Sequence, residues 1–175
     1  MRLILFISFI VVSACGTQQY HPQEHSIRDK YVRDFEVSGN IYVNSTNILE
    51  NPEVIYKGLT TTFKTSYLDI ANVMAKQLEK EIDENSTIDG ELDKYLYIQL
   101  DDFYLDTKTE GIQTTLNITI LGERGFEKQF KIKTDYSQID VGDTQATFNN
   151  AIAFAVQRML KSPELLQHMA IKELR

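Results

Sequence analysis

The sequence predicts an α+β fold: a two-layer sandwich in which two main helices and a short C-terminal helix lie on one face of a mostly antiparallel sheet. Residues 66–82 and 144–160 carry apolar side chains at spacings of three and four, typical of amphipathic helices. Residues 95–133 contain three segments in which apolar and polar residues alternate, typical of strands with one buried face. Because no repeat or linker interrupts residues 31–175, we expect one domain there.

The first 15 residues have the layout of a secretory signal. Arg2 supplies one positive charge, and residues 3–12 form an apolar stretch that only Ser8 interrupts. This stretch is too short to cross a bilayer as a helix. The residues Val12-Ser13-Ala14-Cys15 that close it resemble the bacterial lipobox, in which the chain is cut before the cysteine and the thiol is acylated with fatty acids such as palmitate.

The lipobox resemblance implies a signal peptide over residues 1–14 and a lipid anchor on Cys15. A simple signal peptide cleaved near Ala14, or a chance cysteine beside an apolar run, is the alternative. Several acyl chains hold a protein on a membrane stably, because each buried CH₂ contributes about 0.8 kcal/mol. Gly16, where an aspartate would signal retention, implies passage to the outer membrane, with the rest of the chain in the periplasm.

Composition excludes several classes of partner and site. Without Arg2, the chain carries 17 Lys and Arg against 25 Asp and Glu, a net charge of −8. This acidic balance argues against nucleic acid and against polybasic attachment to anionic lipid. Since Cys15 is the single cysteine, disulfides and thiolate metal sites are also excluded.

Residues 15–30 read as a lipidated N-terminus followed by a flexible, polar tether. The segment His21–His25 within it matches H-x-x-E-H, a spacing that one class of zinc peptidases uses on a helix. Pro22 disfavours a helix through this segment, and the sequence offers no third ligand. We therefore predict neither a metal site nor catalysis here.

The next segments predict strands and a long loop. Residues 31–37 alternate and residues 41–43 continue the pattern, which indicates either a hairpin or one bulged strand. Residues 44–62 read as a loop with one short strand at 54–56. Long loops in small domains are often functional, so this loop is the first candidate for a contact surface, together with the exposed face of the sheet.

The first helix should begin at Ser66, which with Asp69 forms a capping-box-like start. Residues 83–87 then read as a polar loop that ends the helix. This loop also contains Asn85 in an acidic glycosylation sequon, which gives glycosylation as an alternative role. Asn117 lies in a looser sequon but inside a predicted strand.

In the meander that follows, Asp101 and Asp102 are a candidate carboxylate pair for acid–base catalysis or for calcium binding. Adjacent strand residues point to opposite faces, so we expect that the two cannot contact one ligand. No calcium or acid–base site is predicted. After the helix over 144–160, Ser162 and Pro163 begin the short terminal helix, which is either a lid on the core or a docking segment.

The lipobox, the tether and the order β-α-β-β-β-α together resemble the small accessory lipoproteins of Gram-negative envelopes. Among these are the LptE type, the YajG type and the auxiliary lipoproteins of ABC transporters. The resemblance implies a non-enzymatic accessory module in envelope assembly or transport. It further implies an envelope membrane protein as partner, with the chain held on the membrane by its lipid.

Two other functions stay open from the residues alone: a surface-exposed antigen or adhesin, and an envelope hydrolase. Against a hydrolase, the sequence has no G-x-S-x-G motif, and His168 lies in the terminal helix without a nearby nucleophile. We predict no catalytic, cofactor-binding or metal-binding residue.

Overall fold

The computed structural model describes residues 16–27, 32, 34–58, 60–90, 93–108, 111–136 and 144–170. The predicted signal peptide over 1–14 and Cys15, the predicted site of acylation, lie outside these residues. None of the helices in the described part of the chain combines the length and apolarity needed to cross a bilayer.

Nine strands and three α-helices occur in the described residues. The strands are β1 (Gly16–Gln19), β2 (Phe35–Val37), β3 (Asn40–Ser45), β4 (Glu53–Lys57), β5 (Thr61–Thr65), β6 (Ser86–Ile88), β7 (Asp93–Lys108), β8 (Gly111–Gly122) and β9 (Glu127–Tyr136). The helices are α1 (Tyr67–Asn85), α2 (Thr144–Met159) and α3 (Pro163–Ala170).

The main sheet has four strands in the order β3-β7-β8-β9. Its long antiparallel pairs, β7–β8 and β8–β9, follow the predicted meander, whereas β3 pairs with β7 in parallel. Alternate residues such as Leu96, Ile98 and Leu116 point inward and are buried. Helix α1 packs against β3 and β7, and α2 packs against β8 and β9. The predicted α+β class is confirmed, with mixed sheets.

The expected hairpin or bulged strand over residues 31–43 is wrong. Strand β2 pairs in parallel with β6, and β3 pairs with β7 in the main sheet. Gly39 lies between them with φ at +83°, a conformation that glycine adopts without strain. The chain therefore turns there and passes from one sheet into another.

Part of the predicted 44–62 loop is a second sheet. Strands β4 and β5 form an antiparallel hairpin, and β1 pairs in parallel with β5. Ile55 and Phe63 point from this hairpin into the core, where both are buried. Residues 46–52 remain the only irregular stretch between β3 and β4.

The flexible tether predicted for residues 15–30 is also wrong where the structure describes it. Residues 16–19 form β1, and Tyr20 is fully buried beside Phe148, with its hydroxyl donating to Asn149 Oδ1 at 2.5 Å. Glu24 then forms an ion pair with Lys76 on α1 at 2.7 Å. The polar composition misled the prediction because β1 is held by backbone hydrogen bonds rather than by buried side chains.

Aromatic rings connect the main sheet with the β1-β5-β4 sheet. The ring of Phe148 on α2 meets those of Phe63 and Phe103 at centroid distances of 5.6 and 5.7 Å, both edge to face. Such pairs contribute about 0.5–1.5 kcal/mol beyond the burial of their area. The core is thus continuous from β5 through α2 to β7.

The helix ends follow the predicted capping. Ser66 Oγ accepts a hydrogen bond from Asp69 N at 2.9 Å at the start of α1. Ser162 Oγ accepts from Leu165 N at 3.4 Å at the start of α3. Because Leu165 and Met169 are fully buried, α3 is a lid on the core, one of the two predicted arrangements.

Candidate functional site

Exposed apolar side chains concentrate on one surface of the described residues. Seven large hydrophobic side chains are exposed among the described residues. Five of them lie on the face of β3 and β7 away from the helices, or in the loop that follows β3. We call these five the outer strip. They are Tyr42, Ile48, Leu49, Tyr95 and Tyr97. Surface patches of this kind often mark interaction sites.

The tyrosines face outward because successive side chains of a strand point to opposite faces of the sheet. Ile41 and Val43 point into the core, so Tyr42 between them faces solvent. The β3–β7 register places Tyr42 opposite Tyr95, and their rings stack with centroids 5.5 Å apart and planes at 26°. A cross-strand aromatic pair of this kind stabilises the sheet, so this part of the outer strip is preformed.

The loop after β3 is held to the sheet by the side chain of Asn47. Its Nδ2 donates to the Leu100 carbonyl at 2.9 Å, and its Oδ1 accepts from Leu100 N at 2.8 Å. The Thr46 N–H adds a bond to the Ile98 carbonyl at 2.9 Å. These bonds continue the β3–β7 ladder beyond the end of β3, so the loop leaves the sheet in a fixed direction.

The tip of this loop presents apolar side chains to solvent. Ile48 is 85% exposed and Leu49 is 67% exposed. A cleft of about 330 Å³ lies beside them, and Gln99 forms part of its wall. Gln99 is two residues from Tyr97 on the same face of β7, a Cα separation of about 7 Å. The loop tip and the tyrosines therefore form one continuous surface.

The prediction that Asp101 and Asp102 point to opposite faces is wrong. A β-bulge between Leu100 and Asp102 shifts the register, and both Leu100 and Phe103 point into the core. The two aspartates between them thus lie on the outer face. Asp101 Oδ2 accepts from Thr119 Oγ1 at 2.7 Å, and Asp102 Oδ1 accepts from the Tyr67 hydroxyl at 3.2 Å.

Each of these carboxylates therefore has a partner in the sheet or in α1. No group of three or more His, Cys, Asp or Glu side chains is placed to hold a metal ion within the ranges given above. The pair contributes polar contacts along the outer face, next to Gln99, whose Nε2 donates to Asp101 Oδ1 at 2.8 Å.

The histidines lie apart from one another. His21 and His25 are exposed in a segment without helix, where the His25 carbonyl accepts from Gln77 Nε2 at 2.5 Å. The His168 ring stacks on Phe126 with centroids 4.2 Å apart. Burial, and then the positive charge of Lys94, lower the pKa of His168 below its ordinary value. This residue packs the lid against the sheet.

The two asparagines in sequons differ in setting. Asn85 is the last residue of α1, and its Nδ2 donates back to the Glu81 carbonyl at 2.9 Å. Asn117 lies within β8, as predicted, with its side chain toward Asp102. The Asn85 amide thus has an intramolecular acceptor.

The sequence predicted the exposed sheet face as part of a binding surface but singled out none of the tyrosines of the outer strip. The alternation identified the strand and its buried face, and the residues between were assigned only to the exposed face. The signal was the residue type, because Tyr42, Tyr95 and Tyr97 stand at outward positions where charged or small polar residues are usual.

No protein-family model and no curated protein sequence matches the chain. Among solved structures, it is similar to protein XCC0632 from Xanthomonas campestris, described with the family model DUF330. The TM-score is 0.55 at 13% identity, over 86% of this chain and 97% of that chain. A crystal structure described only as that of an uncharacterised protein aligns with a TM-score of 0.47 at 8% identity, over 83% of this chain and 98% of that one. The first similarity shows a shared fold.

Proposed function

We propose that this chain is a lipid-anchored, non-enzymatic accessory module of the bacterial envelope that binds a membrane protein through the outer strip. Its anchor would be the acylated Cys15, and its domain would lie in the periplasm against the outer membrane. The observation that carries the proposal is the outer strip itself, five exposed apolar side chains on one continuous surface.

The outer strip has the features of a protein-binding surface. Tyrosines are enriched at such interfaces because they combine a large apolar ring with a polar hydroxyl. Ile48 and Leu49 project at the end of a loop whose base is fixed by Asn47, so little conformational entropy would be lost on binding. Polar groups such as Gln99 and Asp101 border the apolar residues, as in the rim of an interface.

The position of β1 supports a short anchor. Gly16 N donates to the Thr60 carbonyl at 3.1 Å, so the residue that directly follows Cys15 is already bonded to the domain. With the acylated residue at the bilayer surface, the end of the β1–β5 pair would lie close to the lipid headgroups. The partner would therefore be sought within or directly on the same membrane.

The test is a crosslinking pull-down of the full-length protein from its own membranes. We expect one integral membrane protein to be recovered with the wild type and lost with Cys15→Ala. A double variant, Ile48→Ser with Leu49→Ser, should stay acylated and membrane-bound but recover much less of that protein.

The matched control is Val54→Ser with Ile88→Ser, because Val54 and Ile88 are the exposed large hydrophobic side chains that the described residues carry outside the outer strip. This control should recover the partner as the wild type does. Equal recovery with the loop variant and the wild type would reject the outer strip as the binding surface. Failure to acylate Cys15 in the wild type would reject the anchor.

A further inference from the structure

Within the described residues, the main sheet ends in two strands that no further strand covers, β3 and β9. Gly122 N donates a hydrogen bond to the Phe126 carbonyl, just before β9. Along β9, the N–H and C=O groups of every second residue counted from Phe126 therefore point toward β8. The N–H and C=O groups of the residues between them, such as Gln129 and Lys131, point away from the sheet. Directly after β3, Thr46 N donates a hydrogen bond to the Ile98 carbonyl of β7. The backbone N–H and C=O groups of Val43 and Ser45 therefore point away from β7. Open edges are templates for pairing with another chain.

The β9 edge is basic. A cleft of about 430 Å³ runs between this strand and helices α2 and α3. Its charged lining is four cations and one carboxylate, a net charge of +3: Lys128, Lys131, Lys133, Arg158 and Glu164. Glu164 is paired with Lys128 at 2.8 Å, and Phe130, Ile132 and Phe154 line the apolar part of the cleft. We call this surface the basic edge.

The β3 edge is acidic. A cleft of about 560 Å³ runs between this strand and α1. Its charged lining is four carboxylates and two cations, a net charge of −2: Glu24, Glu79, Asp83, Glu84, Lys76 and Lys80. Glu79 Oε2 accepts a hydrogen bond from Val43 N at 2.8 Å and so occupies one outward backbone group of the strand. We call this surface the acidic edge.

We propose that the basic edge of one copy of this chain binds the acidic edge of a second copy. Strand β3 runs parallel to β7, and β9, two antiparallel steps from β7, runs in the same direction. A head-to-tail contact of identical orientation would therefore set β9 parallel to β3 of the next copy and extend the main sheet across the boundary.

Charge favours this pairing over the others. Two basic edges, or two acidic edges, would place like charges together, which disfavours association, whereas the head-to-tail contact joins a basic edge to an acidic one. Lys131 and Lys133, which flank the buried Ile132, would border this contact from the outer face. Arg158 lies on the helix side of β9, and Glu79 and Asp83 lie on the helix side of β3, so the contact would bring them together. On association, the hydrogen bond from Val43 N to Glu79 would break, and Val43 N would bond to the incoming strand. In the free protein this bond protects the edge from nonspecific strand pairing.

The experiment is a charge swap with the full-length protein in excess detergent, followed by sedimentation. The basic edge is reversed with Lys131→Glu, Lys133→Glu and Arg158→Glu, and the acidic edge with Asp83→Lys and Glu84→Lys. All five side chains are exposed, so folding should be little affected. Exposed reversals on strands other than β3 and β9, Lys57→Glu in β4 and Asp106→Lys in β7, serve as controls.

We expect the wild type and both controls to associate, and each reversal alone to raise the dissociation constant at least about tenfold. An equimolar mixture of the two reversals should associate again, since each acidic surface then meets a basic one. Association should also weaken between about 0.05 and 0.5 M salt because ions screen the contact. A monomeric wild type, or a mixture that stays dissociated while the wild type associates, would overturn the proposal.

Discussion

The two faces of the main sheet use the same strands for different purposes. On β7, Leu96 and Ile98 point inward and are 1% and 0% exposed, whereas Tyr95 and Tyr97 between them are 41% and 38% exposed. The inner face is sealed by α1, α2 and the lid α3. The outer face carries the outer strip. A single alternation thus supplies both the core and the proposed binding surface.

Because the two faces differ in this way, stability and recognition should be separable by residue position. Burying a large apolar side chain contributes about 1.5–3 kcal/mol, while an exposed one contributes little to folding. Substitutions on the inner face should therefore act through unfolding. Those on the outer face should act on binding while the fold persists. Substitutions at Phe148, Asn47 and His168 test this separation.

The largest effect is expected from Phe148→Ala. Phe148 is fully buried and contacts Tyr20, Phe63 and Phe103, so its removal leaves a cavity where the two sheets meet. We expect a loss of about 3–5 kcal/mol in the free energy of unfolding, measured by urea denaturation. Partner recovery, corrected for the folded fraction, should not change.

Phe148→Leu is the control for this prediction, because it retains most of the apolar volume and should cost less. If Phe148→Ala destabilises the protein by less than about 1 kcal/mol, the aromatic contacts do not join the sheets as described. If the corrected recovery of the partner falls, the inner and outer faces are not separable.

A smaller effect is expected from Asn47→Ala, because Asn47 lies between the inner and the outer face of the main sheet. The change removes both side-chain bonds to the Leu100 backbone, and we expect a loss of about 1–2 kcal/mol in the free energy of unfolding. Partner recovery should fall as well, because Ile48 and Leu49 lose their fixed direction. Thermal unfolding and the membrane pull-down measure the two effects.

Asn51→Ala is a matched control in the same loop, since Asn51 is exposed. It should leave both measurements close to those of the wild type. Wild-type recovery of the partner with Asn47→Ala would show that a fixed loop base is not needed for binding.

Sequence reasoning succeeded where the signal was local. The Ser66 cap, the apolar face of α1 and the alternation in β7 and β8 each occupy a few neighbouring residues and were found where predicted. It failed for β1, which pairs with Thr61–Thr65 more than 40 residues away. Such pairing uses backbone groups that every residue carries, so a polar sequence gives no sign of it.

The candidate surface was only partly predictable for the same reason. Residues 44–62 were expected to form a contact loop, and residues 46–52 are the irregular part that remains. Its fixed direction depends on Asn47 meeting Leu100, a contact between distant segments. The bulge that turns Asp101 and Asp102 to one face likewise depends on the register between β7 and β8.

The smallest effect is expected at the margin of the inner face, from the titration of His168. Burial, followed by the charge of Lys94, lowers its pKa from the ordinary value of 6.5, while Glu123 raises it and Arg124 lowers it further. The folded protein therefore binds fewer protons than the unfolded chain just below that pH. By linkage, stability is complete above about pH 6.5 and decreases as the pH falls toward the lower folded pKa.

His168→Phe removes this titration and keeps a ring stacked on Phe126. We expect the melting temperature of the wild type to fall more than that of the variant between about pH 7.5 and 5.5, as measured by calorimetry. Exposed His21 and His25 are present in both proteins, so their contribution cancels in the comparison. Parallel pH profiles for the two proteins would contradict the prediction, because the His168 ring would then titrate alike in the folded and unfolded chain.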